Sequence, residues 1–534
     1  MLTGLVLSVI ATASSPSHPN IVFFLTDDQD QVLGGSFPLT ASNGASTPMP
    51  RTKALIADKG ATATSFYIHT PICCPSRSET LSGRYLHNVK QPVEKMQCSE
   101  AYGGQTDWNT TCCMHVDEGL VNNATFAKYL KEEAGYTVGM FGKYLNNCPN
   151  VAQPGFDAWF ANGGGSYFAP EFAVQNIDGM PDGSFKGNQS VYSTSIIGNV
   201  SLAWIRKVAT GSAPFMAYIG PKAAHDPFQP APWYADYWDP SWPATAPRPP
   251  SWNISAEARS KHHPTVANQA MLDDNAAACI DKAFKNRWRT LMSVDDLIDA
   301  VFRLTDELGV TDNTYFLYSS DHGFQMGELN LPQDKRNVYE FDTKIHMIVR
   351  GPGITAGSQV SFPGTNVDIG PTFLAMAGVS KPGNMDGKSF LPFIVQKSED
   401  LPNSVSHGLG AQSVAEFEAG WRDTVFVEHY RVGAGSYCGE GHHIDGVDNN
   451  FIAIRSMPGS KYGNFLYAEF QWANGTNYGE GNVDFKSPFI FEAFDMDADP
   501  WQMNNIYDSL NESMKASLHA SVHAWLDCQG GTCP

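Results

Sequence analysis

Four short apolar runs share one pattern, and each ends on polar residues. Asn20 to Thr26 (NIVFFLT) runs into Asp27 and Asp28, and Thr137 to Phe141 (TVGMF) runs into Gly142 and Lys143. Phe215 to Ile219 (FMAYI) leads to a loop that holds His225, and Tyr315 to Ser320 (YFLYSS) runs into Asp321, His322 and Gly323. None of them alternates apolar with polar, so each is predicted to be a strand buried on both faces, as in a parallel sheet under helices. Helical spacing falls between them. Val294, Leu297, Ile298, Val301, Leu304 and Leu308 mark one face of a helix over Ser293 to Leu308. Ser293 with Asp296 resembles a capping box at its start, and Gly309 suits the position after its end. Asn123 to Ala134 forms a second predicted helix, closed by Gly135. Strands alternating with helices predict an α/β fold. Ligands of open α/β sheets sit beyond the carboxyl ends of the strands, which would bring Asp27, Asp28, Lys143, His225, Asp321 and His322 to one edge.

Composition narrows the class. Of 534 residues, 42% are hydrophobic and 12% aromatic, enough for a large core. Only 17% are charged, which excludes global disorder, a coiled coil and a collagen-like chain. A net charge of −20 and a pI of 5.1 exclude non-specific coating of nucleic acid or anionic membrane. No apolar run reaches the roughly 18 residues of a membrane span. Leu2 to Ala13 is a short apolar stretch ending in Ala-Thr-Ala, so residues 1–13 are expected to be a signal peptide, although no Lys or Arg precedes the apolar part; the alternative is a frayed N-terminus. Seven N-x-S/T sequons (Asn109, Asn123, Asn188, Asn199, Asn253, Asn474 and Asn511) support a secretory route. Most of the ten cysteines should then pair, with Cys528 and Cys533 spaced for a local loop. Asp226 to Trp252, dense in Pro and Trp, reads as a long structured loop, either stacking on sugar or merely packed on the surface. Lys397 to Gly420 is polar without a clear period and reads as a linker or insertion. The expected organisation is a catalytic domain over 18–396 and a smaller C-terminal domain over 421–534.

The strongest local signal is Cys73-Cys74-Pro75-Ser76-Arg77-Ser78-Glu79-Thr80-Leu81-Ser82-Gly83-Arg84. Pro75 suits a helix's first turn, which puts Cys73 near a helix N-terminus, where a thiolate or an anion is favoured. Arg77 and Arg84 add positive charge. On spacing alone, a buried structural cysteine before a helix is the simpler reading.

The segment resembles the type I sulfatase signature, C-x-P-S-R-x-x-x-L-[ST]-G-R, and matches it from Cys73 to Arg84. Further segments resemble the N-acetylglucosamine-6-sulfatase branch of that family: Asn20 to Gly35, Gly142 to Asn146, Asn286 to Leu297, Asp321 to Asp342, Val349 to Ile354 and Asp495 to Ile506. The likeness is weakest over Asp226 to Trp252 and Lys397 to Phe485. It implies an alkaline-phosphatase-like fold: a mixed, mostly parallel sheet between helices, then a smaller domain with an antiparallel sheet and a helix near Ser509 to Leu526.

The resemblance also implies the chemistry. Cys73 is oxidised to formylglycine during secretion by a formylglycine-generating enzyme. One hydroxyl of the hydrated aldehyde attacks sulfur, the alcohol leaves with a proton, and the second hydroxyl drives sulfate out. A calcium ion is implied on Asp27, Asp28, Asp321 and His322, against the residue at position 73. Calcium prefers oxygen ligands, so His322, where many sulfatases have Asn, leans toward softer metals. Arg77 would fix the hydrate, Lys143 and Lys335 would hold sulfate oxygens, and His225 or Lys335 would protonate the leaving oxygen. Leu145 stands where many members have a second histidine, which leaves Asp321 and His225 as candidates for the base that expels sulfate. The implied substrate is a sulfated glycan with 6-O-sulfo-glucosamine units. An arylsulfatase, a sulfatase of another polysaccharide, a phosphonate or phosphate monoester hydrolase, and a non-catalytic sugar-binding protein are the alternatives. The expected compartment is extracellular, lysosomal or vacuolar.

Three finer expectations follow. Loss of Cys73 to the aldehyde leaves nine cysteines, so Cys74, beside an open site, is expected to be a free buried thiol. His225 as donor is expected to give a mildly acidic optimum, because an unperturbed imidazole titrates near ~6.5. No long Lys/Arg run is present, so capture is expected at a pocket for one or a few sugars, with Lys222 and Arg336 close by in sequence.

Overall fold

The computed structural model describes residues 18–31, 47–90, 113–146, 148–396, 401–410, 414–433, 438–439, 442–472 and 483–534. The expected signal peptide, Asn109 and Asn474 lie outside them.

Sixteen strands are described: β1 (Asn20–Thr26), β2 (Ala61–Ala63), β3 (Phe66–Tyr67), β4 (Thr137–Lys143), β5 (Ala158–Asn162), β6 (Glu171–Gln175), β7 (Gly183–Lys186), β8 (Phe215–Gly220), β9 (Thr314–Ser320), β10 (Met347–Arg350), β11 (Ser358–Val360), β12 (Gly364–Thr365), β13 (Thr424–His429), β14 (Asn450–Ser456), β15 (Phe465–Gln471) and β16 (Ile490–Asp495). Ten form one sheet in the order β11-β2-β10-β9-β1-β8-β4-β5-β6-β7. Its centre, β9-β1-β8-β4-β5, is parallel throughout, and antiparallel strands flank it on both sides. The fold is the alkaline-phosphatase-like one expected, with a four-stranded antiparallel sheet, β13-β14-β15-β16, after it.

The continuous apolar runs have a direct cause. Ile21, Phe23 and Leu25 of β1 enter the core on one side of the sheet, and Val22 and Phe24 enter the core on the other. Tyr315 and Leu317 of β9 likewise separate from Phe316 and Tyr318. Side chains alternate across a strand, so a strand covered on both faces needs apolar residues at every position.

The helices agree in part. The helix predicted from Asn123 runs over Phe126–Ala134, capped by Thr125 and closed by Gly135 at φ 68°. The helix predicted from Ser293 instead runs over Asp274–Glu307, with Asp273 as its N-cap. Ser293 is mid-helix, and its hydroxyl donates back to Thr290 O at 2.6 Å, so the capping-box reading is wrong. Upstream, Ala276, Ile280, Ala283, Phe284 and Trp288 continue the apolar stripe into a satellite core under the 226–252 loop, and burial extends the helix past the polar pair. Gly309 follows its end at φ 69°, as expected. The last helix is Glu512–Leu526, capped by Asn511.

Cys74 is not free: it pairs with Cys113, with the two Cα atoms 5.3 Å apart. Conversion of Cys73 still leaves an odd number of cysteines, but Cys74 is buried in the main core, where Cys113 reaches it. Cys279–Cys438 and the expected Cys528–Cys533 are the other described disulfides. Asn123, Asn188, Asn199 and Asn511 are exposed, whereas Asn253 is half-buried and its amide donates to Leu272 O at 3.0 Å.

Candidate active site

The carboxyl ends of β1, β4, β8 and β9 meet the N-terminus of the helix Cys73–Ser82. Cys73 is that helix's first residue, with Ile72 as N-cap and Pro75 in the first turn, so backbone N–H groups and the helix dipole face the site. The helix is wholly buried and fixed by polar contacts. Ser76 donates its hydroxyl to Asp321 O, Asn366 donates to Ser76 O at 3.0 Å, and Glu79 accepts from Asn366 at 2.9 Å. Cys73 is buried and in no disulfide, so its Sγ stands where the hydrate oxygens of formylglycine would be.

Asp27 and Asp28 follow β1 directly. Asp27 N donates to Ala223 O at 2.9 Å and Ala224 N donates to Asp27 O at 2.6 Å, tying this turn to the loop after β8. Asp28 has φ 58°, a left-handed conformation that Asp tolerates and that often marks functional sites. Lys143 ends β4, and its ammonium pairs with Asp27. Gly142 before it has φ 105°, and a Cβ there would meet Gly220 O at 2.1 Å, so only glycine lets β4 and β8 deliver Lys143. Lys335 Nζ contacts both Asp28 carboxylate oxygens, at 2.7 and 3.0 Å, and lies 3.5 Å from His225 Nε2. His225 Nδ1 lies 2.7 Å from the Asp226 carboxylate, which orients the ring so that Nε2 faces inward.

Arg77 is fully buried and makes three directed bonds: Nε to Asp321 Oδ2 at 2.9 Å, and its terminal nitrogens to Lys143 O at 3.0 Å and Thr26 O at 3.2 Å. One guanidinium thus locks the ends of β1 and β4 and the acid after β9. His322 Nε2 lies 3.3 Å from Cys73 Sγ and 3.5 Å from both Asp28 Oδ1 and Asp321 Oδ1. Among the described residues, Asp27, Asp28, Cys73 and His322 each offer a donor atom, all within 4.8 Å of one another. Asp321 sits beside them with its oxygens engaged by Arg77 and by Asp28 N at 3.1 Å. Two buried carboxylates and an imidazole suit a divalent metal.

The field follows from this packing. Burial opposes ionisation of Asp27, but Lys143, His225 and Arg77 hold its carboxyl well below the usual range. Burial also opposes the Cys73 thiolate, yet Lys143 and Lys335 pull the thiol well below its ordinary value. Burial, reinforced by Asp27, raises Asp321 to about 6. Burial would lower His225, but Asp28 outweighs it and raises the imidazole to about 10. The imidazole's affinity for its proton is thus set by the Asp28 carboxylate beside it, whereas the mildly acidic optimum was expected from an unperturbed ring.

All sequence-predicted site residues meet in this one place, including Arg77 and Lys335, which lie at no strand end. Lys222 and Arg336 line its margin, with Arg336 paired to Asp334 at 3.0 Å. Leu145 is buried in the core rather than facing the site. Sequence reasoning missed Arg287, which donates to Asp30 at 2.6 Å and to Asp28 O, and Tyr167, whose hydroxyl donates to His225 O at 2.8 Å. Arg287 lies in the NRWRTLMSVDDL segment, so its signal was present; Tyr167 carries none.

The sulfatase family model matches residues 19–379, and the chain belongs to the sulfatase family. It is a sulfuric ester hydrolase of that family. The chain is 30% identical over 566 residues to the N-acetylglucosamine-6-sulfatase of Homo sapiens, covering 100% of this chain and 89% of that protein. Among solved structures it resembles one in complex with its substrate D-glucosamine-2-N,6-O-disulfate, at TM-score 0.64 and 22% identity, over 95% of this chain and 97% of that one. It also resembles a phosphonate monoester hydrolase from Silicibacter pomeroyi, at TM-score 0.62 and 18% identity, over 95% of this chain and 94% of that one. Among the described residues no helix is long and apolar enough to cross a membrane.

Proposed function

We propose that this protein removes 6-O-sulfate from N-acetylglucosamine-type units of sulfated glycans. The observation that carries the reading is the convergence of Asp27, Asp28, Lys143, His225, His322 and Lys335 around Cys73. Near full-length likeness to an N-acetylglucosamine-6-sulfatase supports the choice of sugar.

Oxidised to formylglycine, position 73 supplies a hydrated aldehyde, one hydroxyl replacing the sugar oxygen on sulfur and the other later expelling sulfate as the aldehyde re-forms. A divalent cation, calcium in our reading, would be held by Asp27, Asp28, His322 and the hydrate, with Asp321 beside it, and would add positive charge at the sulfate. Lys143 and Lys335 then turn from the carboxylates they neutralise toward the sulfate oxygens. Charged His225, oriented by Asp226, gives its proton to the departing sugar oxygen, with Lys335 3.5 Å from its Nε2 as the alternative donor. Arg77 keeps the three strand ends in register. Asp321, raised to about 6, is suited to take the proton from the expelling hydroxyl.

The cationic groups cluster at one point, so substrate is gripped by one or a few sugars, and chain ends or short oligosaccharides are preferred. The disulfides and exposed sequons support a secretory route, with the converting enzyme acting on Cys73 along it. The test is a panel of 6-O-sulfated mono-, di- and long oligosaccharides with aryl sulfate and aryl phosphate as controls. Rapid release from terminal 6-O-sulfo-N-acetylglucosamine is expected. Faster internal than terminal desulfation refutes the pocket, and preference for aryl phosphate favours a phosphate or phosphonate hydrolase. Peptide mass spectrometry should find aldehyde at position 73; active protein with a wholly unmodified thiol there would sink the mechanism.

A further inference from the structure

A second cluster of metal-binding groups lies on the C-terminal antiparallel sheet and shares no residue with the site above. Glu469 projects from β15 and is fully buried. The helix Glu512–Leu526 covers it and presents His519 and His523, four residues apart and hence on one face. His519 Nδ1 lies 2.8 Å from Glu469 Oε1, and His523 Nε2 lies 3.1 Å from Oε2. The two imidazoles lie close together and tilted by 49°, with ring centroids 4.2 Å apart. One ligand atom from each of the three residues falls within 4.8 Å of the others.

The buried Glu469 carboxylate calls for positive charge, which a protonated imidazole or a bound cation supplies. Among the described residues, the ion-pair partners of Glu469 are these two imidazoles alone, which are neutral when unprotonated. A buried carboxylate without a cationic partner is costly. Tyr467 OH donates to Glu469 Oε1 at 2.7 Å and fixes the carboxylate, as an outer hydrogen bond does for a metal ligand. The His519 side chain is 52% exposed, so an ion can enter from solvent.

We propose that Glu469, His519 and His523 bind a transition-metal dication of the zinc class. Two nitrogens and one carboxylate oxygen leave a fourth tetrahedral position for water. With metal–ligand bonds of about 2.0–2.1 Å, tetrahedral ligands lie about 3.3 Å apart; the three ligand atoms already lie within 4.8 Å of one another, and the imidazoles, now on separate carboxylate oxygens, would draw in around one ion. Two imidazoles to one carboxylate select against calcium more strongly than the active-site cluster, where His322 is the one imidazole beside two carboxylates. The bound ion would tie the last helix to β15, and its binding energy would add to the stability of this sheet.

The probe is Zn2+ alone, applied by equilibrium dialysis to full-length protein first saturated with Ca2+, with Co2+ absorption as a second readout. Wild type should take up one equivalent of Zn2+ more than the double variant His519→Gln/His523→Gln, and its visible Co2+ band should be lost in that variant. Sulfatase activity should stay within about two-fold, because neither residue touches the active site. His519→Gln alone, at a half-exposed position that folding tolerates, should weaken Zn2+ binding at least ten-fold and carries the test if the double variant does not fold. Equal Zn2+ uptake by wild type and the single variant would overturn the proposal and leave a hydrogen-bonded clasp.

Discussion

Arg77→Lys separates charge from geometry at the active site. The substitution keeps a cation in a fully buried position but cannot reproduce three bonds in fixed directions. Lysine can follow one of them, most readily the contact with Asp321. Lys143 O then loses its Arg77 donor, whereas Thr26 O keeps Asp321 N at 3.2 Å. Two lost bonds to a charged donor, at about 1.5–2 kcal/mol each, give a destabilisation of about 3–4 kcal/mol. Against a typical total of about 5–15 kcal/mol this is large but leaves a folded protein. Activity should fall further than stability, because Asp27, Lys143 and Asp321 lose their common brace, and misplacement by an ångström costs about 100-fold. Urea unfolding followed by tryptophan fluorescence gives the first quantity, and sulfate release from 6-O-sulfated N-acetylglucosamine gives the second. If Arg77→Lys unfolds within about 1 kcal/mol of wild type and turns over within a few-fold, the guanidinium is only a counter-charge and the bracing argument is wrong.

Asp28→Ala should lose bound metal and activity together, whereas His322→Asn should keep substantial activity; elemental analysis beside turnover checks both, and active enzyme without stoichiometric divalent metal would refute the site. Non-reducing peptide mapping should recover Cys74 joined to Cys113, and Cys74→Ser should cost about 2–4 kcal/mol in denaturant unfolding. Glu340 accepts from Arg455 Nε at 2.7 Å and from Tyr67 at 3.1 Å, and against the penalty of burial Lys344 and Arg455 lower it to about 2. Its folded pKa is depressed, so the stability it contributes, up to about 3 kcal/mol, is present above pH 4.5 and lost as pH falls toward 2. The gap between wild type and Glu340→Gln should therefore close over that window in acid-range denaturant melts, and a constant gap would contradict the assignment.

The sheet was legible because its central strands are covered on both sides, which leaves an uninterrupted apolar run with a polar break at the site. Asp27, Asp28, Lys143, Asp321 and His322 follow from that break. Arg77 and Lys335 had no such marker and came from resemblance alone. The start of the helix at Asp274 was missed because Ser293 and Asp296 mimic a cap, while the true boundary is set by packing against Phe228, Phe324 and Met326, which are remote in sequence. Cys74 was misread because pairing depends on which way a side chain leaves its helix, which no cysteine count contains. His225 was placed correctly, but its proton affinity depends on Asp28 across the sheet edge.

The position of β1 bears on how the protein folds. Its neighbours are β8 and β9, and Asn20 lies opposite Thr314 in the register. Closing so long a chain segment is entropically slow, and the strand that delivers two acids, though β8 reaches one edge of it first, is not enclosed on both edges until residues nearly three hundred positions later are available. During synthesis, therefore, the first half of the chain waits without its catalytic edge, and sulfate-ester recognition arises late, as a single event that reports completion of the central sheet.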